Sequence, residues 1–368
     1  MEDTEAMGKH LPKKVSTYLA QFLKVLTKPQ KKYFLIYLLG LISLVKFRSI
    51  REIASQLGQN SQGLHHFIQH SEKSARRLVE ENQQYLAQTL NVKDSIMILD
   101  DTPCPRNGKH IEGSGIHHSI HGPIRGLCAV TAILKSGSQR LAWAIRGYRS
   151  KKNCAPEVFK SKVELARQIL EESFNLFPQG LTVVMDVWYA CSSILNPIQE
   201  AGWTFLAAIK RNRLLFVDGK KISACHLAKG PRKYKTVRAS KKKRFQVAKK
   251  KVFLPGIGPI LVFITKLKGG ESRFFITNNL DMTESEMVRV YTERFAIELF
   301  HKDIKQHLGF TEMFMRSWNG IQTHWILLAI AYNTISLSNG SHSGSFRMMI
   351  RHFRDSVSHN EFLALPKK

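Results

Sequence analysis

The sequence predicts an α/β protein built on a sheet of mixed strand directions, and three observations carry that prediction. Two apolar runs, "SIMILDD" (Ser95 to Asp101) and "LTVVMD" (Leu181 to Asp186), bear carboxylates only at their ends, as central strands buried on both faces do. The segments "GLCAVTAIL" and "RLAWAIRGY" flank "KSGSQ", a hairpin pattern. A helical stretch from Pro156 to Phe174, a further short helix and "WTFLAAIK" complete a βββαβαβ series. Three strands followed by alternation with helices imply a mixed sheet.

Taken in order, residues up to about 90 read as helical. Within them, "SIREIASQLGQNSQGLHHFIQHS" has Ser49 and Glu52 spaced as a capping box, then a Gly58-Gln59-Asn60 turn and a second helix with Leu64, Phe67 and Ile68 inward. Such a pair is either a helix-turn-helix or a plain helical hairpin. From Arg211 to Lys268 a lysine-rich segment with Pro and Gly signals predicts a small β-rich insertion with a basic surface. "RFFITNN" leads into a polar helix, and "THWILLAIAYNTISLS" reads as a core helix followed by a polar tail.

Charge narrows the function. The 368 residues include 56 Lys and Arg against 28 Asp and Glu, a formal net charge of +28, while 43% hydrophobic content supplies a core. Self-repulsion on this scale points first to a nucleic-acid partner and second to an acidic membrane surface. The longest apolar run, "YFLIYLLGLISLV", spans only Tyr33 to Val45 between lysines. It falls short of the roughly 20 residues a membrane helix needs and reads as a buried helix. No cleavable signal pattern occupies the N-terminus. Five scattered cysteines with no C-x-x-C pair point to free thiols in a reducing cytoplasm and to no zinc site.

The stretch "YTERFAIELFHKDIK" (Tyr291 to Lys305) poses the functional question. On one continuous helix Tyr291, Arg294, Glu298 and Lys305 fall within about 60° of one another. That face is either a solvated surface or part of an active site. Ligands gather beyond the carboxyl ends of strands in open α/β sheets, so Asp186 and either Asp100 or Asp101 are placed to share a site. With Glu298 they form an all-oxygen set suited to Mg²⁺ or Mn²⁺, and an ion pair of that kind serves phosphodiester cleavage.

Tyr291, Arg294, Glu298 and Lys305 resemble the Y-x2-R-x3-E-x6-K signature of the insertion-sequence four group of cut-and-paste DDE transposases. The resemblance extends over most of the chain: "DDT" at the first strand, "MDVWY" at the second, the basic insertion, the signature stretch and "HLGF" after it. It implies a ribonuclease H-like catalytic core in which Asp101, Asp186 and Glu298 hold two Mg²⁺ ions, with Mn²⁺ able to substitute. Asp101 is preferred because the family's first Asp directly precedes Thr, here Thr102, although strand phase alone leaves Asp100 open. Tyr291, Arg294 and Lys305 would contact DNA phosphates.

The implied organisation is a helical DNA-binding domain over 1–90, the core's first part over 91–210, the β-rich basic insertion over 211–270, the core's second part with the catalytic helix over 271–310, and a C-terminal helical region over 311–368. The implied function is binding of terminal inverted repeats, metal-dependent strand cleavage and strand transfer into target DNA by a homodimer on double-stranded DNA. Its setting would be a bacterial cytoplasm, in association with the nucleoid. A ribonuclease H-like nuclease without strand transfer and a catalytically silent DNA-binding protein are the alternatives.

Relatives that resolve a DNA hairpin stack a Trp of the insertion on a flipped base, yet no Trp lies between Trp203 and Trp318 here. Tyr234, Phe245, Phe253 and Phe263 are the available substitutes. The cluster of His110, His117, His118 and His121 is assigned structural or phosphate-contacting roles rather than a metal site. The lysine run at 241–251 is assigned sequence-independent DNA contact. Trp188 and Tyr189 are expected to be packing residues, with DNA contact the lesser alternative.

Overall fold

The computed structural model describes residues 11–365, apart from 47, 109, 120–121, 231–232, 240–242, 267–270, 313, 339–343 and 358. His121 and residues 241–242 of the lysine run therefore lie outside the described residues.

Five helices come first: α1 (Lys13–Lys24), α2 (Lys28–Ser43), α3 (Ile50–Gln56), α4 (Ser61–His70) and α5 (Glu72–Thr89). Most of the apolar run lies in α2, where Phe34 to Ile42 are all buried, while Leu44 and Val45 fall past its end and Val45 is exposed. Ser49 caps α3 by accepting the Glu52 N–H, Asn60 caps α4 by accepting the Gln62 N–H, and Gly58 turns between them at φ +61°. Each cap satisfies a backbone donor that the helix start leaves orphaned. Among the described residues no helix is long and apolar enough to cross a membrane.

Six strands and two helices follow: β1 (Ser95–Pro105), β2 (Gly115–Ser119), β3 (Gly122–Ser136), β4 (Gln139–Tyr148), α6 (Lys162–Phe174), β5 (Thr182–Met185), α7 (Ser192–Glu200) and β6 (Thr204–Ile209). β3 runs antiparallel to both β1 and β4, while β1, β5 and β6 are mutually parallel. The order β4-β3-β1-β5-β6 is that of a ribonuclease H-like sheet, so the mixed α/β fold is as the sequence predicts.

The basic region holds β7 (Leu214–Val217), β8 (Lys220–Ser223), α8 (Ala224–Lys229), β9 (Lys235–Arg238), β10 (Arg244–Leu254) and β11 (Gly258–Lys266). It is not a separate sheet. β12 (Arg273–Thr277) pairs with both β6 and β11, so these strands continue the central sheet to twelve strands. Burial without alternation fits the join: β11 is buried continuously from Ile260 to Thr265, which a two-layer edge hairpin would not require.

The chain closes with α9 (Glu284–Thr292), α10 (Phe295–His307), α11 (Trp318–Ser338), α12 (Phe346–Ser356) and α13 (His359–Leu363). α11 is buried along nearly its whole length and packs against α1, α2, α4, α5 and β4. A buried amide network fixes that junction. The Asn333 side chain donates to Asn82 Oδ1 (2.9 Å) and to Ala142 O (2.9 Å) and accepts the Ala142 N–H (2.7 Å), while the Tyr18 hydroxyl donates to Asn82 Oδ1 (2.7 Å). Four elements distant in sequence thereby satisfy one another's polar groups in the core.

Candidate active site

The parallel register of β1 with β5 sets the site. Leu99 lies opposite Met185, the last residue of β5, so Asp100, midway along β1, and Asp186, just past β5, take the next position, where the parallel pairing of the two strands ends. Successive residues of a strand point to opposite faces, and the two aspartates of β1 accordingly have different partners.

Asp100 points toward α10. Its Oδ2 accepts from Arg294 Nη1 at 3.1 Å, and Arg294 Nη2 donates to Glu298 Oε1. Behind it, opposite Asp100 on β3, the Thr131 hydroxyl lies 2.8 Å from His301 Nε2 of α10. Burial raises the Asp100 carboxyl to about 7, assisted by the neighbouring charge of Asp186 and only partly offset by the Asp101 N–H and Arg294. Burial raises Asp186 as well, against the N–H of Trp188, which donates to Asp186 Oδ1 at 2.9 Å. His301 is driven down to about 3, chiefly by burial, and is neutral at ordinary pH.

Asp101 faces α6. Its Oδ2 accepts from Lys162 Nζ at 2.5 Å and from the Cys128 thiol at 3.4 Å, and its Oδ1 accepts from the Tyr189 hydroxyl at 3.2 Å. Lys162 is the first residue of α6, where Ser161 and Glu164 form a reciprocal capping box. Burial pushes the Cys128 thiol up to about 12.

The signature stretch is not one helix. α9 ends at Thr292 and α10 begins at Phe295. Between them the Arg294 N–H bonds to Tyr291 O and the Ala296 N–H to Glu293 O, a turn tightened to three residues. This shifts the common face expected of a continuous helix across the break. Tyr291 stays half-buried with its ring edge-on to Phe275 at 4.4 Å, while burial and nearby charges bring its hydroxyl to about 12. Arg294 remains beside Glu298. Lys305, a half-buried side chain three turns along α10, has its ammonium pKa lowered by burial. At the end of α10, Gly309 of "HLGF" takes φ +76° against Arg48, where a Cβ would meet Arg48 Cδ at 2.9 Å.

Sequence reasoning missed Lys162 and the hydroxyl of Tyr189. The Ser-x-x-Glu pattern at Ser161 would have placed Lys162 at a helix start. Trp188 departs from its expected packing role: it is 61% exposed next to Asp186, whereas Tyr189 is fully buried. Among the aromatic residues of the basic region, Phe263 is fully buried and Phe253 is 51% exposed. His117 contacts Gly126 O at 3.1 Å and the Tyr148 ring, a structural role. Among the described residues, no three His, Cys, Asp or Glu side chains converge closely enough to hold an ion as they stand.

A ribonuclease H-like sheet with aspartates where the parallel pairing of two adjacent strands ends defines a nuclease of the DDE type. The model of the family described as DDE superfamily endonuclease matches residues 21–252, well over half of the chain, and the protein belongs to that family. Its substrate class is therefore DNA. The matched span includes Asp100, Asp101 and Asp186 and ends before Glu298. No curated protein matches the chain.

Proposed function

We propose that the protein is a DNA transposase of the insertion-sequence four group, which binds terminal inverted repeats as a homodimer, cleaves at them and transfers the freed 3′ end to target DNA. The observation that supports this reading most is the arrangement of Asp186, a β1 carboxylate and Glu298 around Arg294 where the parallel pairing of β1 with β5 ends. Tyr291, Arg294 and Lys305 then contact backbone phosphates, and the charge of +28 supplies sequence-independent affinity.

The donor set fits divalent ions by its chemistry. All the donors are carboxylate oxygens, and the Asp100 carboxyl is raised to about 7 by burial first and by the neighbouring charge of Asp186 second, both of which a hard cation would offset. Asp186, Glu298 and the β1 carboxylate would hold Mg²⁺, with Glu298 leaving Arg294 to do so. Bound there, the ions would supply an activated water or 3′ hydroxyl and charge stabilisation at the leaving oxygen. Arg294, released from Glu298, turns its planar fork to a phosphate. Trp188, exposed beside Asp186, offers an aromatic face to an unpaired base, the role the insertion does not fill with a Trp.

The test is cleavage and joining of a labelled transposon-end duplex with Mg²⁺, comparing the intact protein with Glu298→Gln. Loss of both steps with DNA binding retained supports the reading. Cleavage without joining of precleaved ends supports a nuclease lacking strand transfer, and equal activity in both proteins removes Glu298 from catalysis.

A further inference from the structure

We propose that His66 and His70 form a clip for an exchangeable transition-metal ion of the Zn²⁺, Cu²⁺ or Ni²⁺ class, on the outer face of α4 and separate from the carboxylates of the candidate active site. The inference stands apart from the transposase reading and uses none of the residues assigned there.

The helix supplies the geometry. Leu64, Phe67 and Ile68 are buried, and α4 packs against α2, α3 and α11, so its orientation is set and His65, His66 and His70 are left exposed. Residues four apart on a helix lie one above the other on the same face, with their Cβ atoms about 5–6 Å apart. His66 and His70 have this spacing, and their ring centroids are 4.7 Å apart with the planes inclined by 37°. An ion bonded to imidazole nitrogen at about 2.0–2.1 Å can span two rings this close. The same pair, two histidines four apart on one helix face, supplies zinc ligands in helical metal sites. The third histidine of the helix is turned elsewhere: His65 Nε2 lies 3.1 Å from Gln69 Nε2. Among the described residues, the ring contact of His66 and His70 is with each other.

Donor chemistry sets the ion. Imidazole suits zinc, copper and nickel, whereas the all-oxygen set beside Arg294 suits magnesium or manganese, so the two sites select different metals. The five scattered cysteines speak against a thiolate centre and leave an imidazole pair untouched. Structural zinc sites close their shell with four protein donors. Two donors leave the remaining positions to water, so the clip exchanges its ion and α4 folds without it. The buried face of α4 holds both rings on a rigid element, which is what lets two donors act together as a chelate.

Zn²⁺ calorimetry on the full chain, with Mg²⁺ in excess to occupy the carboxylates, tests the clip together with Cu²⁺ electron paramagnetic resonance. The proteins are the unmodified chain and its His66→Gln, His70→Gln and His65→Gln variants, each shown to be folded by thermal melting. A second imidazole tethered one turn away acts at high effective concentration, so loss of either clip member should weaken the tightest Zn²⁺ binding by roughly a hundredfold. His65→Gln should leave it unchanged. The Cu²⁺ signal should show hyperfine coupling to a pair of nitrogens in the unmodified and His65→Gln proteins, and to fewer in the other two. Zn²⁺ should raise the melting temperature only where His66 and His70 are both present, because the clip exists only in the folded helix. Equal Zn²⁺ binding by all the proteins, or a loss in His65→Gln as large as in His66→Gln, would overturn the clip and leave an aromatic contact only. Either result leaves the transposase reading intact, and a protein that fails to cleave transposon ends can still bear the clip.

Discussion

Arg294 joins Asp100 to Glu298, with Nη1 3.1 Å from Asp100 Oδ2 and Nη2 on Glu298 Oε1. The arginine thus occupies the carboxylates that the proposed metal requires, and the two cations compete. Removing the guanidinium in Arg294→Ala should raise Mn²⁺ affinity by about tenfold, equivalent to roughly 1.4 kcal/mol, and should weaken binding of transposon-end DNA through the lost phosphate contact. Parallel titrations with Mn²⁺ and with duplex DNA check both signs. A fall in Mn²⁺ affinity would show that Arg294 organises the carboxylates rather than competing for them.

The raised Asp100 carboxyl predicts a pH dependence whose sign can be worked out. Below about pH 4 the group is protonated both folded and unfolded, and contributes nothing. Between there and about 7 the folded protein keeps a proton that the unfolded chain has lost, so stability falls as pH rises through this window. With a displacement of about three units, the loss is at most on the order of 4 kcal/mol at pH 8. Asp100→Asn should therefore melt higher than the unmodified protein at pH 8, with the difference shrinking toward pH 5. Because a metal binds the ionised form, Mn²⁺ affinity of the unmodified protein should climb through pH 6 to 8. Melting curves and calorimetry across that range decide the matter.

Much of this architecture is legible in the sequence because burial writes itself into pattern. β1 up to Leu99 and β5 read as continuous apolar runs, since they are covered on both faces, and the aspartates that end those runs mark the ligand edge, although β1 itself continues to Pro105. The Ser136 to Gln139 turn reads as a hairpin from its Gly. What the sequence leaves open depends on three-dimensional register. Asp100 and Asp101 are chemically equivalent neighbours, and only the pairing of Leu99 with Met185 separates their faces. The break at Glu293 and Arg294 carries no Pro or Gly to announce it, so a helical pattern runs straight through. The joining of β11 to the core sheet passes through β12, a pairing that local composition does not encode.

Trp188 provides a prediction that separates function from folding. Its side chain is 61% exposed, so Trp188→Ala should change stability by no more than about 0.5 kcal/mol. If its ring receives a base, affinity for ends carrying unpaired nucleotides should fall by roughly 1–3 kcal/mol while affinity for fully paired duplex is nearly unaffected. Fluorescence of Trp188 should be quenched on binding the unpaired substrate in the unmodified protein. Equal losses on both substrates would instead indicate a backbone contact.

Arg48 links the N-terminal helices to the helix carrying Glu298. Its side chain is 1% exposed and donates to Leu41 O at 3.1 Å near the end of α2, to His307 O at 2.8 Å at the end of α10 and to Glu312 Oε2 at 2.9 Å. Each carbonyl lies in the last turn of a helix, where no intrahelical donor is available and a cation also suits the dipole. Arg48→Met keeps much of the volume but strands two carbonyls and a carboxylate. Breaking a buried pair this way costs about 3–5 kcal/mol, and the partial exposure of Glu312 argues for the lower end. Lys in its place supplies charge without the fork that reaches three acceptors, so Arg48→Lys should recover only part of the loss. Urea unfolding of both variants measures this. In the same variants, end cleavage should fall more than DNA binding, because loosening the end of α10 displaces Glu298 while leaving most phosphate contacts in place.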